Sequence, residues 1–68
     1  MTTYSYEPLY KTLNRNNISL WKLIELSGLS QGQRTRIRDG KNISLNSICL
    51  MCEVLDCDIT DIVKLIKE

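Results

Sequence analysis

The sequence predicts an all-α fold of five short helices built around a helix-turn-helix. Three observations carry that expectation. The stretches NISLWKLI (17–24) and NISLNSIC (42–49) repeat one helix-opening pattern. Apolar residues then recur at spacings of three and four, the period of a helix with one buried face. Between the two lies GLSQGQRTRIRDGKN, residues 28–42, which holds four of the nine basic residues and, after Leu29, one large apolar residue, Ile37.

Each element follows from local chemistry. Pro8 suits the first turn of an opening helix, where its missing N–H costs nothing, with Leu9 and Leu13 on the inner face. Ser19 is the next N-cap, and Ile18 before it can staple to Leu23. Leu20, Leu23, Ile24 and Leu26 continue to Gly28, which accepts the positive φ of a helix stop. Ser30 starts a third helix, and Gln33 three residues on completes a capping box. Gly40 ends that helix, and Lys41 suits its C-terminal dipole. The expected helix spans 31–39. Only Gly28 and Leu29 separate it from the second, the arrangement of a helix-turn-helix. Ser44 caps the fourth, with an Ile43–Ile48 staple and a stripe of Leu45, Ile48, Cys49, Cys52 and Leu55. Asp58 is expected to cap a fifth helix carrying Ile59, Ile62, Val63 and Ile66. Tyr4, Tyr6, Tyr10 and Trp21 read as core or core-edge packing.

Composition narrows the classes. At 68 residues the chain is expected to form one small domain, 1–68. No apolar run approaches the roughly 20 residues of a membrane span, so no membrane partner is expected. MTTYSYEPLY is not a signal peptide, which leads us to expect a cytoplasmic protein with reduced thiols. Cys49, Cys52 and Cys57 are three in number, and the sequence has no histidine to complete a four-ligand zinc site. They are expected to be small buried hydrophobes, with no metal and no cofactor. Without histidine there is no Ser/His/Asp or Cys/His arrangement either, and no phosphate loop exists. No catalytic residue is expected, and the chain is not expected to be an enzyme.

The net charge of +1 hides an uneven distribution. Residues 31–52 carry Arg34, Arg36, Arg38 and Lys41 against Asp39, a local +3. Residues 53–68 carry Glu53, Asp56, Asp58, Asp61 and Glu68 against Lys64 and Lys67, a local −3. A charged stretch can be a solvated face. Basic side chains that neutralise phosphates also provide most of the sequence-independent affinity for DNA. Gln31, Gln33, Thr35 and Arg36 are side chains suited to base edges in a major groove.

With Leu23, Gly28-Leu29-Ser30, Ile37, Gly40-Lys41 and the ending ISLNSICLMCEVLDCDITDIV, the chain resembles the Cro/C1-type helix-turn-helix family of bacterial and phage repressors, in a small stand-alone form. The resemblance runs from about Tyr6 to Ile66. It implies a five-helix lambda-repressor-like domain and a sequence-specific, repressor-like regulator that binds double-stranded DNA. The third helix would lie in the major groove, with Gln31, Gly32, Thr35 and Arg36 facing bases and Gln33 near phosphates. Lys41, Asn42 and Ser44 would hold the DNA backbone, joined by Arg38. One recognition helix rarely supplies enough specificity, so a homodimer on two half-sites is expected. The final helix around Ile62, Leu65 and Ile66 is either its contact surface or core.

Three positions depart from the family pattern. Ile24 stands where a small residue is usual, and Gly32 where a polar reader is common. Arg34 replaces an apolar core residue that Leu29 would staple to. A buried unpaired guanidinium is too costly, so Arg34 must snorkel, find a carboxylate or shift its helix. Such changes also fit an alternative, a protein-binding module on a helix-turn-helix scaffold that no longer binds DNA.

Overall fold

The structure, a computed structural model, describes residues 2–67. The chain begins as strand β1 (Thr2–Ser5), then forms helices α1 (Glu7–Arg15), α2 (Leu20–Leu26), α3 (Gln31–Arg38) and α4 (Leu45–Leu55). A single 3-10 turn (Ile59–Asp61) leads into strand β2 (Lys64–Lys67), which closes antiparallel on β1. Tyr6, Leu9, Leu13, Leu23, Ile24, Ile37, Ile48, Met51 and Ile62 form the buried core between the helices. Among the described residues, no helix is long and apolar enough to cross a membrane.

The helix starts follow the predicted chemistry in most cases. The Ser19 hydroxyl accepts from the Lys22 N–H at 3.1 Å, and Ser44 accepts from the Ser47 N–H at 3.2 Å. Pro8 lies in the first turn of α1. Leu9, next along, donates its N–H to the Ile62 carbonyl at 3.2 Å, so an orphan donor of the first turn is satisfied by the far end of the chain. Ser30 has the extended backbone of an N-cap but makes no side-chain cap bond, so the expected box with Gln33 is absent.

The helix stops share one geometry. α1 to α4 are each followed by a residue in the left-handed region: Asn17, Gly28, Gly40 and Asp56, with φ between 51° and 74°. In each case the next N–H reaches back to a carbonyl five residues earlier: Ile18 to Leu13, Leu29 to Ile24, Lys41 to Arg36 and Cys57 to Cys52, at 2.8–3.1 Å. This motif usually sets an apolar pair of side chains together over the helix end. Three of these pairs are apolar or thiol. At the end of α3 the pair is Arg36 and Lys41.

The fold is not all-α, and the fifth helix is not formed. Asp58 does cap, but its box closes on Asp61 within one 3-10 turn. From Lys64 the chain is strand. Its Ile- and Leu-containing stretch pairs with a Thr- and Tyr-rich segment, residue types that favour a pleated surface, in the register Thr3↔Ile66 and Tyr4↔Leu65. Glu7 bridges Lys64 at 3.1 Å and Lys11 at 3.3 Å, tying β2 to α1. Glu68, counted in the acidic balance, lies outside the described residues.

The stripe of α4 is also rotated from its expected position. Its buried residues are Ser47, Ile48 and Met51, with Cys52 and Leu55 at the margin. At 100° per residue Cys49 lies about 130° from the centre of that face, so Cys49 and Leu45 are exposed rather than core. Trp21 and Tyr10 are likewise exposed, at 50% and 46%.

One buried and two half-buried acids imply a sensitivity to alkali. Burial, and the Tyr4 hydroxyl beside it, push the Tyr6 phenol well above its ordinary range. Burial likewise pushes the Cys52 thiol up to about 11, and Cys57 upward. A group whose folded value is raised stabilises fully below its unfolded value and loses that contribution as pH rises through the folded one. The thermal midpoint should therefore hold up to about pH 9, the ordinary thiol value, and fall above it. Cys52→Ala should flatten that decline. A midpoint constant from pH 7 to 11 would show these groups to be unperturbed.

Candidate nucleic-acid interface

α3 is a polar helix attached by one side. Ile37 is its buried residue, 1% exposed, and it enters the core while α3 packs against α2. Ile24, larger than the family pattern expects, is fully buried in α2 on that side. The turn between the helices is fixed by Gly28, at φ +74°, a conformation that costs glycine no steric strain.

Arg34 resolves its conflict by reaching outward. It is half-buried, and its Nε donates to Gln31 Oε1 at 2.9 Å, without a carboxylate. A long basic side chain can bury its stem in this way while its head keeps a hydrogen bond. One consequence is not legible in the sequence: the carboxamide oxygen of Gln31 is already engaged. Thr35 is half-buried and bonds the Gln31 carbonyl at 3.4 Å. Gln33 is half-buried too, with a shielded Oε1 that has no protein partner. Gly32 is exposed, and a Cβ there would meet only Ser30 Oγ, at 3.5 Å. Packing therefore does not require glycine at 32.

The exposed cations gather at the far end. Arg36, Arg38 and Lys41 are all exposed, as are Asn42 and Ser44 beyond them. Arg36 Nε donates to the Asn42 carbonyl at 2.9 Å, which leaves its two terminal nitrogens as a free fork. Arg38 lies 3.5 Å from Asp39. Ser44 caps α4 with its hydroxyl, so it would offer a ligand less than its exposure suggests. Elsewhere most basic side chains are neutralised: Lys11, Arg15, Lys22 and Lys64 each pair with a carboxylate. Among the described residues Arg34, Arg36, Lys41 and, in β2, Lys67 have no such pair. Three of those four uncompensated charges lie on α3 and the loop after it.

That loop is held from beneath by β1 and the residue after it. Tyr6 is 5% exposed and its hydroxyl donates to the Lys41 carbonyl at 2.7 Å. Tyr4 accepts from the Ile43 N–H at 3.2 Å. The two rings stack edge to face, with centroids 5.5 Å apart. Sequence reasoning treated both as packing residues. The signal available was compositional: the chain has three tyrosines and no phenylalanine, so every phenyl-type ring keeps a polar tip.

Two short helices joined at a tight glycine turn, the second exposed and cationic, define a helix-turn-helix of the DNA-binding class. The chain belongs to the Cro/C1-type HTH DNA-binding domain family, whose model matches residues 9–68. It is similar to the crystal structure of the transcriptional regulator VanUg (Form II), with a TM-score of 0.91 and 30% identity. That likeness covers 98% of this chain and 89% of the other. No curated protein matches it.

Proposed function

We propose that the chain is a sequence-specific regulator of transcription, repressor-like in action, that reads the major groove of duplex DNA with α3. The observation that carries this reading is the uncompensated positive charge of Arg36 and Lys41 beside exposed Arg38, on a helix whose opposite side is anchored by Ile37. Phosphate neutralisation supplies affinity there, and the Arg36 fork fits a guanine edge. Family membership and the similarity to a transcriptional regulator point the same way. Gly32 and Thr35 would face bases beside Arg36. Gln31 would do so only on leaving Arg34, and Gln33 would lie near phosphates. Lys41, Asn42, Ser44 and Arg38 would hold the DNA backbone.

A homodimer is part of the same proposal. Ile62 is fully buried and belongs to the core, so it is not a contact residue. β2 is exposed along its whole length, with Leu65 69% exposed, and offers a second copy a free apolar edge.

Selection of bound duplexes from a random pool tests the whole. We expect recovery of a palindrome with half-sites about one helical turn apart. Affinity should fall with salt at a slope of about −3 per protomer if Arg36, Arg38 and Lys41 each neutralise one phosphate. Recovery of no duplex at low salt would sink the regulator and favour a protein-binding module on the same scaffold.

A further inference from the structure

We propose that Tyr4 and Tyr6 are positioning residues for the DNA interface, setting the loop after α3 in its binding shape before any duplex arrives. This rests on the regulator reading above. Three consecutive residues of that loop have a backbone group pinned by a side chain. The Lys41 carbonyl is held by Tyr6 at 2.7 Å, the Asn42 carbonyl by Arg36 at 2.9 Å and the Ile43 N–H by Tyr4 at 3.2 Å. Two of the pins come from the N-terminal strand region, 35 and 39 residues away in the chain.

The loop needs such support because its own chemistry works against it. The helix-end motif of α3 brings Arg36 and Lys41 together, like charges where the other three helices set uncharged side chains. Like charges work against that corner, and Gly40 before it has a backbone freedom no side chain limits. A loop that must be ordered on binding loses affinity to the entropy of ordering. The tyrosines remove that loss in advance. They also fix the Asn42 carbonyl, which receives Arg36 Nε, and so set the direction of the guanidinium fork. The residues of β1 thereby act on DNA without touching it.

The test is a Tyr4→Phe/Tyr6→Phe double variant, which keeps both rings and removes both hydroxyls. In the free protein, hydrogen exchange at the Ile43 amide should quicken by about tenfold, the loss of one modest hydrogen bond. Affinity for the selected duplex should fall by a similar factor of about ten. In an Arg36→Ala/Lys41→Ala background the same tyrosine changes should cost almost nothing, since the side chains they position are gone. A purely structural role would give equal losses in both backgrounds and overturns the proposal. So does an Ile43 amide whose exchange is unchanged. If the double variant fails to fold, Tyr4→Phe alone, at a half-buried ring, carries the same measurements. Failure of the wild-type chain to bind any duplex overturns the regulator reading and the affinity claim together, while the exchange experiment still decides whether the loop is pinned.

Discussion

Ile37→Ala should cost about 2–5 kcal/mol of folding free energy, a large share of what this chain has. Domains of this size hold roughly 0.05–0.15 kcal/mol per residue, so 68 residues give about 3–10 kcal/mol in all. Ile37 is the one side chain α3 buries, between the 0%-exposed Leu23 and Ile24 side of the core and the rest of the molecule. α3 has little else to hold it: its cap lacks a side-chain bond and Gly32 weakens its interior. Its neighbour Arg34 contributes a stem rather than an apolar anchor. A cavity at 37 cannot be refilled by that stem without dragging a guanidinium inward. Urea unfolding should therefore show a markedly lowered midpoint, whereas Ile37→Val should lose only about 0.5–1.5 kcal/mol. An alanine variant within 1 kcal/mol of the wild type would mean that α3 is secured by something other than this contact.

Arg36→Ala should do the reverse, leaving the fold nearly untouched and weakening the selected duplex by about tenfold or more. Arg36 is exposed and forms no ion pair among the described residues, so its removal relieves repulsion with Lys41 as readily as it costs stability. What it takes away is a fork anchored at Nε and open at both terminal nitrogens. A bidentate guanine contact is worth roughly 1–3 kcal/mol of discrimination. The cognate duplex should lose that amount, while a scrambled duplex loses only the electrostatic share and the salt slope falls by about 1. Equal losses on cognate and scrambled DNA would reassign Arg36 from bases to phosphate. No loss on either would remove it from the interface.

The two variants divide α3 into an inner residue that holds the helix and an outer one that uses it. The inner half of that division is legible in the sequence, where Ile37 stands alone among polar residues. Ser19, Ser44 and Asp58 as caps, Gly28 and Gly40 as stops and Ile37 as the lone apolar residue within α3 are all local signals. Each depends on residues within one turn of chain, where side chain and backbone must settle their own hydrogen bonds. The exposure of Arg36, Arg38, Lys41 and Asn42 is legible by the same route, since it follows from the lack of an apolar period there.

The fifth helix fails because the partner of its segment comes from far along the chain. The apolar spacing of Ile59, Ile62, Val63 and Ile66 suits a helix as well as a strand. What decided it was Thr2–Ser5, which supplies β2 with a hydrogen-bonding edge from the opposite terminus. The Ser30–Gln33 box was plausible by spacing and did not form. The engagement of Gln31 by Arg34 was equally unreadable, since a half-buried guanidinium accepts whichever acceptor the fold brings near.

Sequence alone thus determined where α2, α3 and α4 begin, where α2 and α3 end and that α3 is the polar helix, because those choices are made within a few residues. Tertiary structure decided how the termini pair, which polar side chains are already occupied and how the loop after α3 is held. The pairing of the termini and the tyrosine pins depend on contacts 35 residues or more apart, whose closure is favoured only once the intervening helices have packed.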